Sequence, residues 1–202
     1  MSDQFVPVRR GRGRRPAAEV RAGVLASAGQ ILMRDGLAAV TFDRVAKESG
    51  SSKMTLYKWW PSPGMLAAEA YFAQSEQALE FPDTGDLRAD LTTQLTAFVR
   101  LLSDGGTGSR VAEIIGAAQM DPDLARAWKE NYSAPRRELA RARLHAAQQR
   151  GQLRADADLE IIVDHLWGAC YHRLLVLKVP VDESLVPRLI DQTLRGVTPA
   201  GA

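Results

Sequence analysis

The 202-residue chain contains a single cysteine, few aromatic residues and no long hydrophobic segment. One thiol, Cys170, cannot form an internal disulfide, and this cysteine usage favours a cytoplasmic protein. No run of about 18 apolar residues is present, so we expect no membrane-spanning helix and no membrane partner. The arginines near the start have no apolar core behind them, so we expect no secretory signal. Because aromatic residues make up only 6% of the chain, the core must consist mainly of Leu, Ala, Val and Ile.

Motifs of enzymes and metal sites are missing as well. The sequence has no phosphate-binding loop and no hydrolase nucleophile motif, and Gly11-Arg12-Gly13 follows no strand pattern. His165 and His172 stand seven residues apart, which is too far for a metal pair on adjacent helical turns. We therefore predict that the protein is not an enzyme and uses neither a cofactor nor a metal.

Charge is distributed unevenly along the chain. Residues 1–60 contain 11 Lys and Arg against 5 Asp and Glu, a local net charge of +6, whereas the remaining residues have a net charge of −4. A basic head on a mildly acidic body predicts that only the head binds a polyanion, with double-stranded DNA as the leading candidate. A membrane surface is the alternative, but the head lacks the large apolar face of an interfacial helix. The arginine run by itself is equally consistent with a solvated tail.

Apolar residues recur at intervals of three and four along most of the chain, and no segment alternates in the manner of a strand. This pattern predicts an all-α fold of about nine helices. We expect a basic disordered arm at residues 1–16, a first helical domain at 17–62 and a larger helical domain at 63–202.

Capping residues indicate where several of these helices begin and end. Thr41 and the pair Ser51-Ser52 are typical N-caps, because their hydroxyls accept hydrogen bonds from backbone N–H groups. Gly36 is expected to close the first helix in a left-handed cap. The longest helical pattern runs from Asp121 to Gly151, and Pro135 is expected to kink it.

Residues 41–60, TFDRVAKESGSSKMTLYKWW, have the parts of a helix-turn-helix motif. A helix of about two turns ends at Gly50, and a second short helix follows. Ala46 is small where the helices approach each other, and Val45 and Leu56 are placed to pack between them. Such a motif places its second helix in the major groove of DNA. An ordinary αα-hairpin is the plainer interpretation, but the basic segment upstream and the polar, basic second helix argue against it.

These residues are similar to the TetR family of transcriptional regulators. The similarity covers residues 17–72 and includes Ser51-Ser52-Lys53, Thr55-Leu56-Tyr57 and Trp59-Trp60-Pro61-Ser62. The run Thr-Leu-Tyr-x-x-aromatic after a glycine turn is quite specific to this family, whereas the rest of the chain matches only in length and helical content. The resemblance implies a ligand-responsive repressor that binds a palindromic operator as a homodimer and is released by a small-molecule effector.

The resemblance also assigns DNA contacts position by position. Met54 and Thr55 would face the floor of the groove, Tyr57 would reach phosphates or base edges, and the Trp59 indole would donate to a phosphate. The predicted DNA-binding residues are Thr41, Ser51, Ser52, Lys53, Met54, Thr55, Tyr57, Lys58 and Trp59, with Arg12, Arg14 and Arg15 of the arm. The resemblance assigns Phe42, Leu56 and Trp60 to the core.

The sequence departs from the family where the next helix begins. Members usually have a Lys-Glu pair after the serine, and the lysine often binds phosphate, but here Pro63 and Gly64 follow Ser62. We hypothesise that the arginine arm compensates by entering the minor groove. Deleting residues 1–15 should then reduce the slope of log affinity against log salt by about 0.9 for each phosphate that the arm neutralises. An unchanged slope would exclude this role.

The body is predicted to provide a dimer interface and an effector pocket. Helices at 158–178 and 184–196 contain more apolar residues than one buried face needs, so we expect them to form a four-helix bundle with a second copy. Closure of the monomer's own core is the alternative. The family implies a cavity for an apolar or amphipathic effector among the middle helices. Candidate lining residues are Phe98, Leu102, Ile115, Met120, Trp128, Trp167, Tyr171 and His172, although ordinary core packing also explains most of them.

Two other classes of function stay open. An all-helical enzyme or small-molecule-binding protein with an incidental helix-turn-helix predicts turnover or tight ligand binding without operator preference. A nonspecific DNA-binding protein predicts equal affinity for all duplexes, whereas a specific reader shows a gap of about a thousandfold or more.

Overall fold

A computed structural model describes residues 16–75, 81–103 and 106–198, which contain nine helices and no strand. The all-α prediction is therefore confirmed. The first six helices are α1 (Ala17–Asp35), α2 (Phe42–Ser49), α3 (Lys53–Trp59), α4 (Pro63–Ser75), α5 (Leu87–Ser103) and α6 (Thr107–Ala118). Helix α7 consists of Pro122–Trp128, the π-helical turn Lys129–Ser133 and Ala134–Gln149. Helix α8 consists of Leu159–Val163, the π-helical turn Asp164–Gly168, Ala169–Tyr171 and the π-helical turn His172–Leu177, and α9 spans Leu185–Val197.

The predicted arm lies almost entirely outside the described residues, and Arg12, Arg14 and Arg15 lie outside them. Along the part of the chain that the structure describes, no helix combines the length and apolar character needed to cross a membrane.

The predicted helix caps of the head, α1–α3, hold the chain in place around α2. The Thr41 hydroxyl accepts a hydrogen bond from the backbone N–H of Arg44 at 3.2 Å, and the Ser52 hydroxyl accepts one from Thr55 at 3.2 Å. Gly50 ends α2 in the left-handed region, with φ 67° and ψ 21°. Glycine adopts this conformation without steric strain, so α3 can begin only a few residues after α2 ends. The turn of the motif is confirmed.

Gly36 ends α1, but the left-handed cap predicted there is wrong. Its φ of 90° is positive, while its ψ of 173° lies far from the left-handed helical region, in a conformation that glycine alone adopts readily. The extended backbone runs close to α6, because a Cβ atom at this position would lie 2.8 Å from the Arg110 guanidinium. The backbone of this residue therefore lies close against α6, where a side chain has little room.

One continuous hydrophobic core joins the head to the helices that follow. Helix α4 packs on α1 and also on α7, while α5 packs on α6 and α9, and α7 packs on α8. Ile31, Leu66, Leu144 and Leu166 are among the large side chains buried in this core. Burial of one such side chain contributes about 1.5–3 kcal/mol of stability. Because α4 packs on both α1 and α7, its buried side chains stabilise the head and the following helices together. The domain boundary at residue 62 stays a prediction.

Helices α7 and α8 contain π-helical turns. In α7, the turn Lys129–Ser133 ends two residues before Pro135. Proline has no N–H to donate to the preceding turn, so the helix widens there rather than continuing regularly. The long helix expected from Asp121 to Gly151 is present, and its irregularity lies just before Pro135.

Candidate DNA-binding surface and effector cavity

Helices α2 and α3 form a helix-turn-helix held together by a small core. Phe42 and Val45 of α2 are buried, and so are Leu56 of α3 and Trp60 directly after it. All four were expected in the interior. Because the apolar side of α3 faces inward, its opposite side is left to solvent.

The solvent side of α3 presents Met54, Tyr57 and Lys58. Met54 is 78% exposed and Tyr57 is 61% exposed, which are large fractions for side chains with so much apolar surface. The Tyr57 ring packs edge-on against Phe42, with the ring centroids 4.7 Å apart, so its direction is fixed. Apolar and basic side chains side by side suit a major groove, where thymine methyl groups, base edges and phosphates lie close together.

The Ser52 and Thr55 hydroxyls, which are predicted to contact DNA, already form hydrogen bonds within the head. The hydroxyls of Ser52 and Thr55 share a hydrogen bond of 2.9 Å, in addition to the cap that Ser52 forms. The backbone N–H of Ser51 donates to Ala46 at 3.2 Å. A hydroxyl can donate and accept at the same time, so these groups retain capacity for a phosphate oxygen. Their contacts with DNA stay a prediction.

Lys53, another predicted DNA contact, forms an ion pair with Asp43 of α2. Both side chains are mostly exposed, and the hydrogen bond with the Asp43 carboxylate raises the pKa of Lys53. The pair places a negative charge on the side of the head that would face phosphates. Sequence reasoning missed it, because only the turn at Gly50 brings the two residues together.

We predict that Asp43→Asn increases the affinity for DNA severalfold, because it removes a negative charge and releases Lys53 for a phosphate. The salt slope should steepen by about 0.9 for each additional phosphate that the protein neutralises. Binding isotherms at several salt concentrations measure both quantities. Asp123→Asn is the matched control, since it breaks a similarly exposed pair with Arg126 on α7. Identical isotherms for the two variants would contradict the prediction.

Trp59 lies at the base of the motif and is partly buried. Its ring is 5.6 Å from that of Trp60, and the Arg21 guanidinium of α1 lies 5.9 Å from its centroid. Beneath it, Arg21 donates to both carboxylate oxygens of Glu69 at 2.6 and 2.8 Å, and the Trp60 indole N–H donates to Glu69 at 2.7 Å. This network fixes the end of α3 to α1 and α4. Arg21 and Glu69 belong to no sequence motif, so no local pattern could have indicated them.

A second set of polar contacts ties the end of α1 to α6. The Glu113 carboxylate accepts a hydrogen bond from the backbone N–H of Leu37 at 2.6 Å. Arg110 donates to the backbone oxygen of Met33 at 3.4 Å and pairs with Glu113 at 2.5 Å. The head is therefore attached to the body at two places, through α4 and through α6.

The body contains a cavity of about 250 Å³ between α5, α7 and α8. Its described walls include five aromatic residues and a few polar ones, which is the usual composition of a small-molecule site. The aromatic residues are Phe81, Phe98, Tyr132, Trp167 and Tyr171, and the main polar residues are Gln94, Arg136, Arg137 and Asp164. The π-helical turns of α7 and α8 each supply part of the wall, and such turns often occur at functional sites.

Three of the eight predicted pocket residues, Phe98, Trp167 and Tyr171, line this cavity. Met120 does not, because it is 88% exposed at the turn after α6. His172 does not either, because it is exposed and lines a shallow groove between α8 and α9. These two residues are corrections to the predicted pocket.

The other three residues predicted for the pocket lie in the packed core instead. Leu102 is buried on α5, and Ile115 of α6 packs against the core from its edge. Trp128 stacks on Tyr71 of α4, with the ring centroids 6.0 Å apart, and lies 4.5 Å from Tyr132. It therefore contributes to the contact between α4 and α7 and not to the cavity wall.

Sequence reasoning missed the polar side of the cavity. The Arg136 guanidinium lies over the Tyr132 ring at 4.5 Å, and the two residues are four positions apart on α7. Gln94 is buried on α5, and its side-chain oxygen accepts the Trp167 indole N–H at 3.0 Å. The sequence did contain one signal for this polar side, because a glutamine lies within the apolar stripe of α5 and buried polar side chains are uncommon.

Helices α8 and α9 both contribute to the chain's own core, since Ile162, Leu166 and Ile190 are buried. Among the described residues of these two helices, the large apolar side chains that stay exposed lie on α8, where Ile161 is 48% exposed and Val176 is 66% exposed. The dimer interface through both helices stays a prediction.

The described residues define a helical DNA-binding protein of the helix-turn-helix class, with a cavity-containing body fixed to its head. Residues 81–193 match the family model described as the tetracyclin repressor-like C-terminal domain. The chain belongs to the TetR family of transcriptional regulators, which bind DNA. Its relatives are regulators and not enzymes.

Relatives match over nearly their whole length. The chain is 32% identical to the uncharacterized HTH-type transcriptional regulator YdeS of Bacillus subtilis, over 95% of this chain and 96% of that protein. It is 31% identical to the DNA-binding transcriptional repressor TetR of Mycobacteroides abscessus, over 90% of this chain and 95% of that protein. The solved structure of the TetR family transcription regulator SCO0332 is 52% identical, with a TM-score of 0.79 over 90% of this chain and 100% of that one.

Proposed function

We propose that the protein is a cytoplasmic, ligand-responsive repressor that binds a palindromic operator as a homodimer and is released by a small-molecule effector. The observation that carries this proposal is the exposed face of α3, with Met54 and Tyr57 directed to solvent while the base of α3 is fixed by Arg21 and Glu69. A rigid helix with an open, partly basic face is suited to reading base edges. The relative from Mycobacteroides abscessus is a DNA-binding transcriptional repressor, which supports repression as the output.

The homodimer is proposed to form through the outer faces of α8 and α9. The exposed Ile161 and Val176 supply apolar surface, and Gly168 in the groove between the helices allows close approach. In a two-fold dimer the same patch is used by both copies. Two recognition helices about 34 Å apart then contact successive major grooves on one side of the duplex.

Release is proposed to begin at the cavity wall. Tyr132, Arg136 and Leu139 line the cavity and also line a second groove that reaches Trp60 and Glu69 at the base of α3. An effector that moves this shared wall therefore acts on the network that positions α3. DNA affinity falls by the ratio of the effector's affinities for the two states of the dimer.

Selection of bound fragments from random duplex DNA tests the proposed function. We expect enrichment of a palindrome whose half-sites are about one helical turn apart, bound about a thousandfold or more tighter than unrelated duplex. Retention of DNA without sequence enrichment would show a nonspecific binder. No retention of any duplex would show that the helix-turn-helix is incidental.

A further inference from the structure

Hydrogen-bond donors dominate the polar part of the cavity. Gln94 is only 7% exposed, and its side-chain oxygen accepts the Trp167 indole N–H at 3.0 Å. Because an indole N–H can only donate, Trp167 fixes the orientation of the amide and leaves the Gln94 NH₂ group for another partner. Among the described residues, none accepts a hydrogen bond from that NH₂ group.

Arg136 supplies further donors to the cavity wall. One of its terminal nitrogens donates to the backbone oxygen of Ser75 at 3.1 Å, while its guanidinium lies over the Tyr132 ring. A guanidinium has five N–H groups in a planar fork, so the bond to Ser75 leaves others for a ligand.

The acidic residue at the cavity is already paired with a cation. Asp164 pairs with Arg137 at 2.6 Å, and the same guanidinium pairs with Glu160 at 2.5 Å. Burial raises the pKa of Tyr171, whose phenol is in any case protonated at neutral pH. The described lining therefore favours a ligand that accepts hydrogen bonds over one that carries a positive charge.

The aromatic wall of the cavity favours an aromatic ligand. Phe81 lies 6.0 Å from Trp167 and Phe98 lies 5.4 Å from Tyr171 between ring centroids, at interplanar angles of 52° and 70°, so these rings contact one another and present both faces and edges to the cavity. An apolar cavity of about 150 Å³ holds one benzene molecule. The volume of about 250 Å³ found in the body therefore corresponds to about two fused rings.

We propose that the cavity binds a planar aromatic compound of about two fused rings that carries an oxygen acceptor, a carboxylate or carbonyl held by the Gln94 amide. This inference rests on the proposed function, since it names the ligand class of the effector site. Ring faces stack on Trp167 and Tyr171, and the acceptor end lies between Gln94 and Arg136.

Three small probes test the ligand class on the full chain. 2-Naphthoate has the proposed shape and acceptor, 2-naphthylmethylammonium keeps the shape but carries a positive charge, and decanoate keeps the carboxylate on a flexible chain. Isothermal titration calorimetry should show one 2-naphthoate per chain, bound at least tenfold more tightly than either other probe. Tighter binding of decanoate or of the cation, or no binding of 2-naphthoate, would overturn the proposal.

Two variants test the role of the Gln94 amide. Gln94→Leu should weaken 2-naphthoate at least tenfold, whereas the control Gln149→Leu, at an exposed position on α7, should not. Trp167→Phe keeps an aromatic ring but frees the amide to rotate, so the preference for 2-naphthoate over 2-naphthylmethylammonium should narrow severalfold. A preference that Trp167→Phe leaves unchanged would contradict the proposed orientation of Gln94.

Operator release separates this inference from the proposed function. If 2-naphthoate binds as expected and releases the selected operator, both stand. If it binds in the expected order but the operator stays bound, the ligand class stands and the effector role of the cavity is rejected. If decanoate alone binds and releases the operator, the effector role stands and the aromatic ligand class is rejected.

Discussion

Asp90→Ala is expected to lower the free energy of unfolding by up to about 3–5 kcal/mol, because it removes the nearer counter-ion of a buried arginine and leaves that arginine only the carboxylate of Asp83 at 3.4 Å. Asp90 and Arg143 are 1% and 3% exposed, and they are joined by contacts of 2.5 and 2.9 Å between α5 and α7. Thr84 adds a hydroxyl hydrogen bond of 2.7 Å to the same carboxylate. Urea denaturation at fixed protein concentration measures the change.

The double variant Asp90→Leu/Arg143→Met is the companion test. One terminal nitrogen of Arg143 is buried without a hydrogen-bond partner among the described residues, so the pair is not fully satisfied. Replacing both charges with apolar side chains should therefore recover most of the lost stability. Asp191→Ala, which breaks an exposed pair with Arg88, is the control and should change stability little. An Asp90→Ala protein as stable as this control would contradict the prediction.

Acid should remove the difference between wild type and Asp90→Ala. Burial raises the pKa of Asp90, but hydrogen bonds from Thr84 and Arg143 outweigh it and hold the pKa below its ordinary value. The stabilisation is thus fully present above the unfolded-state pKa of about 3.9 and is lost as pH falls through the folded-state pKa. Denaturation curves should show a large difference in stability between wild type and Asp90→Ala at pH 7 and a smaller difference at pH 3.

The double variant Met54→Ala/Tyr57→Ala is expected to lose specific DNA binding. Removing one good base contact costs about 1–3 kcal/mol, and a homodimer makes each contact twice, so operator affinity should fall at least thirtyfold. Affinity for unrelated duplex should change far less, because phosphate contacts supply most of it. Electrophoretic mobility shifts on both duplexes measure the two effects.

Two controls separate lost recognition from lost folding. Met120→Ala removes an equally exposed methionine from the body and should leave operator affinity unchanged. Tyr57→Phe keeps the ring that packs on Phe42 and removes only the hydroxyl. An unaltered operator affinity in the double variant would show that α3 is not the recognition helix.

Much of the head was predictable, because its signals are local. Thr41 and Ser52 cap helices through bonds to residues three positions away, and Gly50 is the residue that a left-handed turn prefers. The conformation of Gly36 was not predictable from local signals, and the chain here contacts Arg110 and Glu113 of α6, which lie more than 70 residues away.

The cavity was less predictable because it also depends on contacts between residues that are far apart in the sequence. Periodicity shows that Trp128 and Trp167 lie on apolar faces, but not which face meets a cavity and which meets another helix. That choice depends on how α7 and α8 are rotated, and the π-helical turns of both helices change the rotation. Gln94 and Trp167 meet across 73 positions, a contact with no local signature.

DNA cleavage by an iron chelate attached to residue 47, an exposed position on α2 outside the predicted DNA contacts, tests most directly whether α3 lies in the major groove. Cys170 is fully buried, and burial raises the pKa of its thiol to about 12, so Lys47→Cys provides a single reactive thiol among the described residues. Bound to the selected operator, the labelled protein should cut at two symmetric positions about 10 base pairs apart. Cleavage spread evenly along the duplex, or a single cut, would contradict two recognition helices placed one turn apart.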